Sequence, residues 1–179
     1  MDRMIIAIIF YINTYPFDKI FTKELPNEFL FSYSNYSLYD SINIILKKLI
    51  LKKLILIDDI SSILTSTFII INKLIIKGIN IPINKQYKLI TISIMLSSKL
   101  LDDDCYDNIT WSNILNMDIE EINKMESIIL KIIDYNVYIS KKDYKISLKV
   151  LKNIPINRAI NEISQKYKSR NLVLSNFKS

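Results

Sequence analysis

"ISIMLSSKLLDDD", residues Ile92 to Asp104, reads as an apolar helix that acquires one lysine, Lys99, and then stops in three aspartates. Helix C-termini carry partial negative charge and favour cations, so Asp102, Asp103 and Asp104 stand against the macrodipole while Lys99 suits it. The segment therefore predicts a buried helix with a charged end that something must compensate. Working outward, helices are what the chain offers. It holds one glycine and four prolines in 179 residues, few breakers for that length, and half its residues are hydrophobic. That composition argues against disorder and for long helices around one core. The abundant isoleucine is not evidence for strands, because periodicity has to decide secondary structure.

Upstream, a first helix is expected from Met4 to Ile12, bounded by "NTYP". "FTKELPNEFLFSYSNYS" then reads as an irregular connection, and Ser37 as the N-cap of a helix to about Leu54. On that helix Ile42, Ile45, Leu46 and Leu49 share one side, and Lys47, Lys48 and Lys52 the other. Asp58 or Asp59 caps the next helix, which runs to Lys77 and closes on Gly78. "INIPIN" is a short extended connection before the opening helix, placed at about Asn84 to Leu101. Downstream, "DDDCYDNITW" reads as a polar loop, packed by Trp111, that leads into "SNILNM". Asp118 with Glu121 starts a capping-box-like helix to Asp134, on which Ile122, Met125, Ile129 and Ile132 recur at helical spacing. A further helix, about Lys142 to Leu151, and a basic tail follow. Each element carries an apolar stripe and a polar face, which predicts an all-α bundle.

Several functions are excluded. With no histidine, the commonest metal ligand and general base are missing. The single cysteine, Cys105, rules out an intramolecular disulfide and a Cys-based zinc site, and its acidic neighbours disfavour a thiolate. One glycine cannot build a phosphate-binding loop. An enzyme is not expected, nor is a cofactor. The net charge of +6 permits an acidic partner, but lysines such as Lys47, Lys53, Lys141 and Lys142 are scattered as on solvated helix faces, so nucleic acid is not expected. "MDRMIIAIIFYI" lacks a signal-peptide cleavage site and is too short to span a bilayer, and Asn72 and Lys73 interrupt the longest apolar run, "SSILTSTFIIINKLIIKG". A soluble intracellular protein is expected, in nucleus, cytoplasm or both, without a membrane partner.

"ISIMLSSKLLDDDCYDN" followed by "DIEEINKMESIILKIIDYNVYIS" resembles the cyclin box, in particular that of the P-type, phosphate-signalling cyclins. The likeness lies in Ser98, Lys99, Leu100, Asp102 and Asp103 at the third box helix, and in Met125, Glu126, Ile129, Leu130 and Tyr135 at the fifth. "SINIILKKL" and "SSILTSTFIIINKLI" resemble the first and second box helices. The resemblance implies a single five-helix cyclin box over 35–151. An N-terminal helix and connection, 1–34, precede it, and a short basic helical tail, 152–179, follows. It implies a non-catalytic regulatory subunit that forms a heterodimer with a cyclin-dependent protein kinase and activates it by docking the kinase C-helix.

By position, the resemblance makes Lys99 and Glu126 the pair that hydrogen-bonds kinase backbone. Leu96, Leu100, Leu130, Tyr135 and Val137 receive the kinase helix; Asp102 and Asp103 are candidate contacts of its activation segment, and an arginine of the kinase would offset their charge. One departure stands out: cyclins commonly tie the first two box helices with an Arg–Asp pair, and the matching residues here are Lys48 and Asn72. About 28 residues follow Leu151, too few for a second box, in keeping with single-box cyclins. The alternative is a cyclin-fold protein of the general-transcription kind that associates with nucleic acid. Such proteins normally carry two boxes and often a Cys-rich zinc ribbon. A membrane-associated helical protein, suggested by the apolar N-terminus alone, is the third reading.

Overall fold

In the computed structural model, which describes residues 2–14, 22–31, 38–103 and 105–168, two helices buried on nearly every side form the centre. They are α3 (Ile60–Ile76) and α4 (Ile83–Leu101), and they pack on each other. Residues 63–71 of α3 and 89–98 of α4 are buried without interruption, so these two helices have no polar face along those stretches. This corrects the expectation of one apolar stripe per element: a helix enclosed by neighbours needs side chains that tolerate burial all round. Serines and threonines serve as well as isoleucines where their hydroxyls find partners. Thr65 and Thr67 donate back to the carbonyls of Ser61 and Ile63 at 2.7 and 2.8 Å, and Thr67 meets Ser97 across the crossing at 3.2 Å.

Around this pair lie α1 (Asp2–Thr14), α2 (Leu38–Leu51), α5 (Asn108–Leu115), α6 (Ile119–Ile132), α7 (Lys141–Asn153) and α8 (Ile156–Lys168). The core-facing residues of α2 are those its sequence period selects: Ile42, Ile45, Leu46 and Leu49 are buried, and Lys47, Lys48 and Lys52 are exposed. Ser37 lies outside the described residues. α1 is a core helix, with Ile5 to Ile9 all buried, and α8 packs against it through Ala159 and Ile163. The segment Ile57–Ile76 is long and apolar enough to cross a membrane, but 67% of it is buried inside the fold.

Caps set most boundaries. Asp118 accepts the N–H groups of Glu120 and Glu121 and starts α6; Ser140 accepts that of Asp143 and starts α7. Gly78 ends the α3 corner with φ +80°, a conformation open to glycine, and a Cβ there would stand 2.9 Å from Thr22 Oγ1. Two expectations are corrected. The Phe21-to-Ser37 stretch is not wholly irregular: Lys23–Glu24 (β1) pairs in parallel with Ile79–Asn80 (β2), part of the predicted "INIPIN" connection, and a 3-10 turn follows at Asn27–Phe29. "DDDCYDNITW" is not all loop either. Asp107 accepts the Thr110 N–H at 2.8 Å, so α5 begins at Asn108 and Trp111 lies fully buried within it.

Candidate functional site

The last turn of α4, the first residue of α5 and the middle of α6 meet at one surface. Lys99 Nζ donates to Glu126 Oε1 at 2.7 Å, joining residues 27 apart in the chain. Both side chains are partly enclosed, at 21% and 17% exposure. Asn108 completes the group: its Oδ1 accepts from Lys99, and its Nδ2 donates at 2.6 Å to Glu126 Oε2 and at 2.6 Å to Asn123 Oδ1. Local sequence explains each position. Lys99 lies in the α4 turn where a cation is favoured, the Asp107 cap starts α5 at Asn108, and the Asp118 cap sets the phase of α6 that turns Glu126 toward α4.

Among the described residues, two of the three ammonium protons of Lys99 are used inside the chain, which leaves one N–H, and further lone pairs of Glu126, for an outside partner. Those two bonds go to Asn108 and Glu126. Asp102 leaves the helix in extended conformation, its N–H on the Ser98 carbonyl at 3.1 Å, and Asp103 is exposed. Asp104 lies outside the described residues.

Apolar residues flank the pair. Leu100 is 40% exposed and Leu101 and Ile109 more so, while Leu130 and Val137 are half-buried against the core. Leu96 differs from its expected surface role. It is 4% exposed, because it falls on the stretch of α4 enclosed on all sides, so it supports this surface from beneath. Beyond Leu101 lies an open cleft of about 460 Å³, walled by Leu54 to Leu56, Ser98, Asp102 and Tyr106.

Tyr135 sits at the α6 exit, 61% exposed, with φ +56°; Asp134 before it has φ +54°. A side chain in the left-handed region costs roughly 1–2 kcal/mol. The turn closes through the Tyr135 N–H on the Leu130 carbonyl at 2.7 Å. From α3, Lys73 Nζ donates to the carbonyls of Asn136 and Tyr138 at 2.6 and 2.8 Å, and Lys77 pairs with Asp134. Partial burial pushes the Lys73 ammonium below its ordinary pKa, with Asp143 acting in the opposite direction.

The Lys48–Asn72 tie does not form. Lys48 is exposed, and Asn72 Oδ1 accepts from Tyr11 of α1 at 2.7 Å. Sequence reasoning also missed Asn108, whose only signal was its place directly after a good N-cap residue.

The family model described as Cyclin matches residues 42–137, from the first turns of α2 to just past the α6 exit. That span contains Lys99, Asn108, Glu126 and the apolar residues named with them through Val137, while Tyr138, whose carbonyl Lys73 also holds, lies one residue beyond it. No curated protein and no solved structure matches the chain.

Proposed function

The chain belongs to the cyclin family, and from that premise we propose that it is a non-catalytic regulatory subunit that binds and activates a cyclin-dependent protein kinase. The observation that carries this reading is the Lys99–Glu126 pair, held by Asn108 next to exposed Leu100, with exposed Tyr135 at the exit of the helix that carries Glu126. A helix laid over this surface meets apolar side chains along its length, and at its end one lysine N–H and one carboxylate able to bond its unpaired backbone groups. Such a subunit is a ligand with higher affinity for the kinase conformation whose C-helix is turned inward, and it shifts the kinase toward that state.

Within this reading Lys99 and Glu126 take the backbone of the kinase C-helix, while Leu100, Leu130, Tyr135 and Val137 receive its apolar face over buried Leu96. Asp102 and Asp103, on the adjoining rim, face an arginine of the activation segment. The cyclin box is placed at 35–151, with 1–34 and 152–179 as flanks. Ser98 to Asp103 and Met125 to Tyr135 favour the P-type, phosphate-signalling class. The complex is placed inside the cell as a soluble heterodimer, in nucleus, cytoplasm or both.

The test is kinase activation. Purified protein is added to a panel of monomeric cyclin-dependent kinases from the cell-cycle, transcription and phosphate-signalling classes, and phosphorylation of a Ser-Pro peptide is followed. At least one kinase is expected to be activated by the wild type and not by Lys99→Glu. Activation of none, or equal activation by the variant, overturns the reading.

A further inference from the structure

We propose that Lys73, in the last turn of α3, is a positioning residue for the docking surface: it locks the α6 exit in a left-handed turn and so presents Tyr135. The inference rests on the function proposed above. It starts from a conflict between residue type and backbone. Asp134 and Tyr135 are consecutive left-handed residues, and neither is the glycine or asparagine that such helix exits favour. Backbone strain of this kind persists only where the surroundings over-determine it, and it gathers at functional sites. Packing does not account for the tyrosine, because its ring is 61% exposed.

The bonds within the turn itself, Tyr135 N–H to Leu130 O and Asn136 N–H to Ile133 O, are open to any helix exit. The ties that come from elsewhere in the fold are the two lysines of α3. Lys77 and Asp134 are both well exposed, and a pair of that kind contributes little. Lys73 is different. It is partly buried, and its ammonium bridges two carbonyls just after the turn, those of Asn136 and Tyr138, 63 and 65 residues along the chain. Charge-assisted bonds to two points of the segment that leaves the turn fix its path as a single point could not. Burial lowers the pKa of this ammonium, and the Asp143 carboxylate at the start of α7 acts in the opposite direction. A side chain of no value to the core, kept in a costly conformation by a cation from another helix, is what a preorganised contact requires.

The experiment measures kinase affinity, thermal stability and amide exchange of residues 134–138 on the full chain, with a kinase that the wild type activates. Lys73→Met is expected to speed exchange in the turn and to weaken kinase binding about tenfold. Lys73→Arg, which can still reach both carbonyls, is expected to restore most of the affinity. Tyr135→Asn is expected to raise the melting temperature by about 2 °C, since it relieves the backbone, while it too weakens binding about tenfold. A merely structural role for the turn predicts the reverse for Tyr135→Asn, a lower melting temperature with affinity unchanged. If the wild type binds and Lys73→Met binds within about twofold of it, this proposal falls alone. If the wild type binds no kinase, the proposed function falls and takes this proposal with it.

Discussion

Helix α4 carries a lysine paired with a glutamate near each of its ends, and the two pairs have the same length, 2.7 Å. Their surroundings differ. Lys85, in the first turn, is 4% exposed, and all three of its protons are used: on Glu24, on the Leu25 carbonyl and on Asn27 Oδ1 at 3.0 Å. A cation there opposes the helix dipole, so only that complete set of acceptors makes its burial tolerable. It fastens the Thr22 to Phe31 segment onto α4, helped by Lys88, which donates to the Glu28 carbonyl at 3.3 Å, while the Glu28 carboxylate pairs with Lys124 of α6. Lys99, in the last turn, suits the dipole, is 21% exposed, and among the described residues keeps a proton in reserve beside exposed leucines. Glu24 is 57% exposed, so what is closed in that pair is the lysine, and a closed lysine holds the chain together. An open one, at an apolar rim, is left with valence for another molecule.

The largest effect should come at the closed end. Lys85→Met leaves the Leu25 carbonyl and Asn27 without their donor, and should cost about 3 kcal/mol of stability in chemical denaturation. Kinase affinity of the folded fraction should not change. At the open end the order inverts: Lys99→Met or Glu126→Gln should weaken kinase binding by about 2 kcal/mol, roughly thirtyfold by calorimetry, with about 1 kcal/mol lost from stability. A large stability loss with normal binding would assign Lys99 to the same class as Lys85. Asn108→Ala removes the amide that bridges the pair and should cost binding about fivefold, an intermediate effect that shows whether the geometry of the pair matters or only its charge.

The smallest effect is electrostatic. The Thr110 N–H on the Asp107 carboxylate holds that group below its usual range, so its contribution is present above the ordinary aspartate pKa and is lost as pH falls through the lowered value. Asp107→Asn keeps a cap on α5 and should flatten that part of the acid unfolding curve, leaving neutral-pH binding by Asn108's neighbours intact.

The same comparison explains what could be read in advance. The open pair was legible through the resemblance of its two segments to the cyclin box, and it forms because both lie on long helices whose phase is set by nearby apolar residues and by the Asp118 cap. Gly78 and the core face of α2 were legible for the same local reasons. The closed pair was not. β1 has two residues, its partner β2 lies 56 positions away, and its anchor Lys85 looks in sequence like one more solvated lysine. Asn72 misled in the same way: its position suggested an interhelical tie to Lys48, while its actual partner, Tyr11, sits on a helix whose docking no local pattern encodes. Neither Glu126 nor the Asp107 cap revealed that Asn108 would stand between Lys99 and α6.

The most direct test compares two numbers for Lys99→Met and the wild type: the dissociation constant for one activated kinase and the melting temperature. Roughly thirtyfold weaker binding with melting lowered by no more than about 4 °C is the outcome expected of an open pair. Unchanged affinity, whatever the melting temperature, would contradict it.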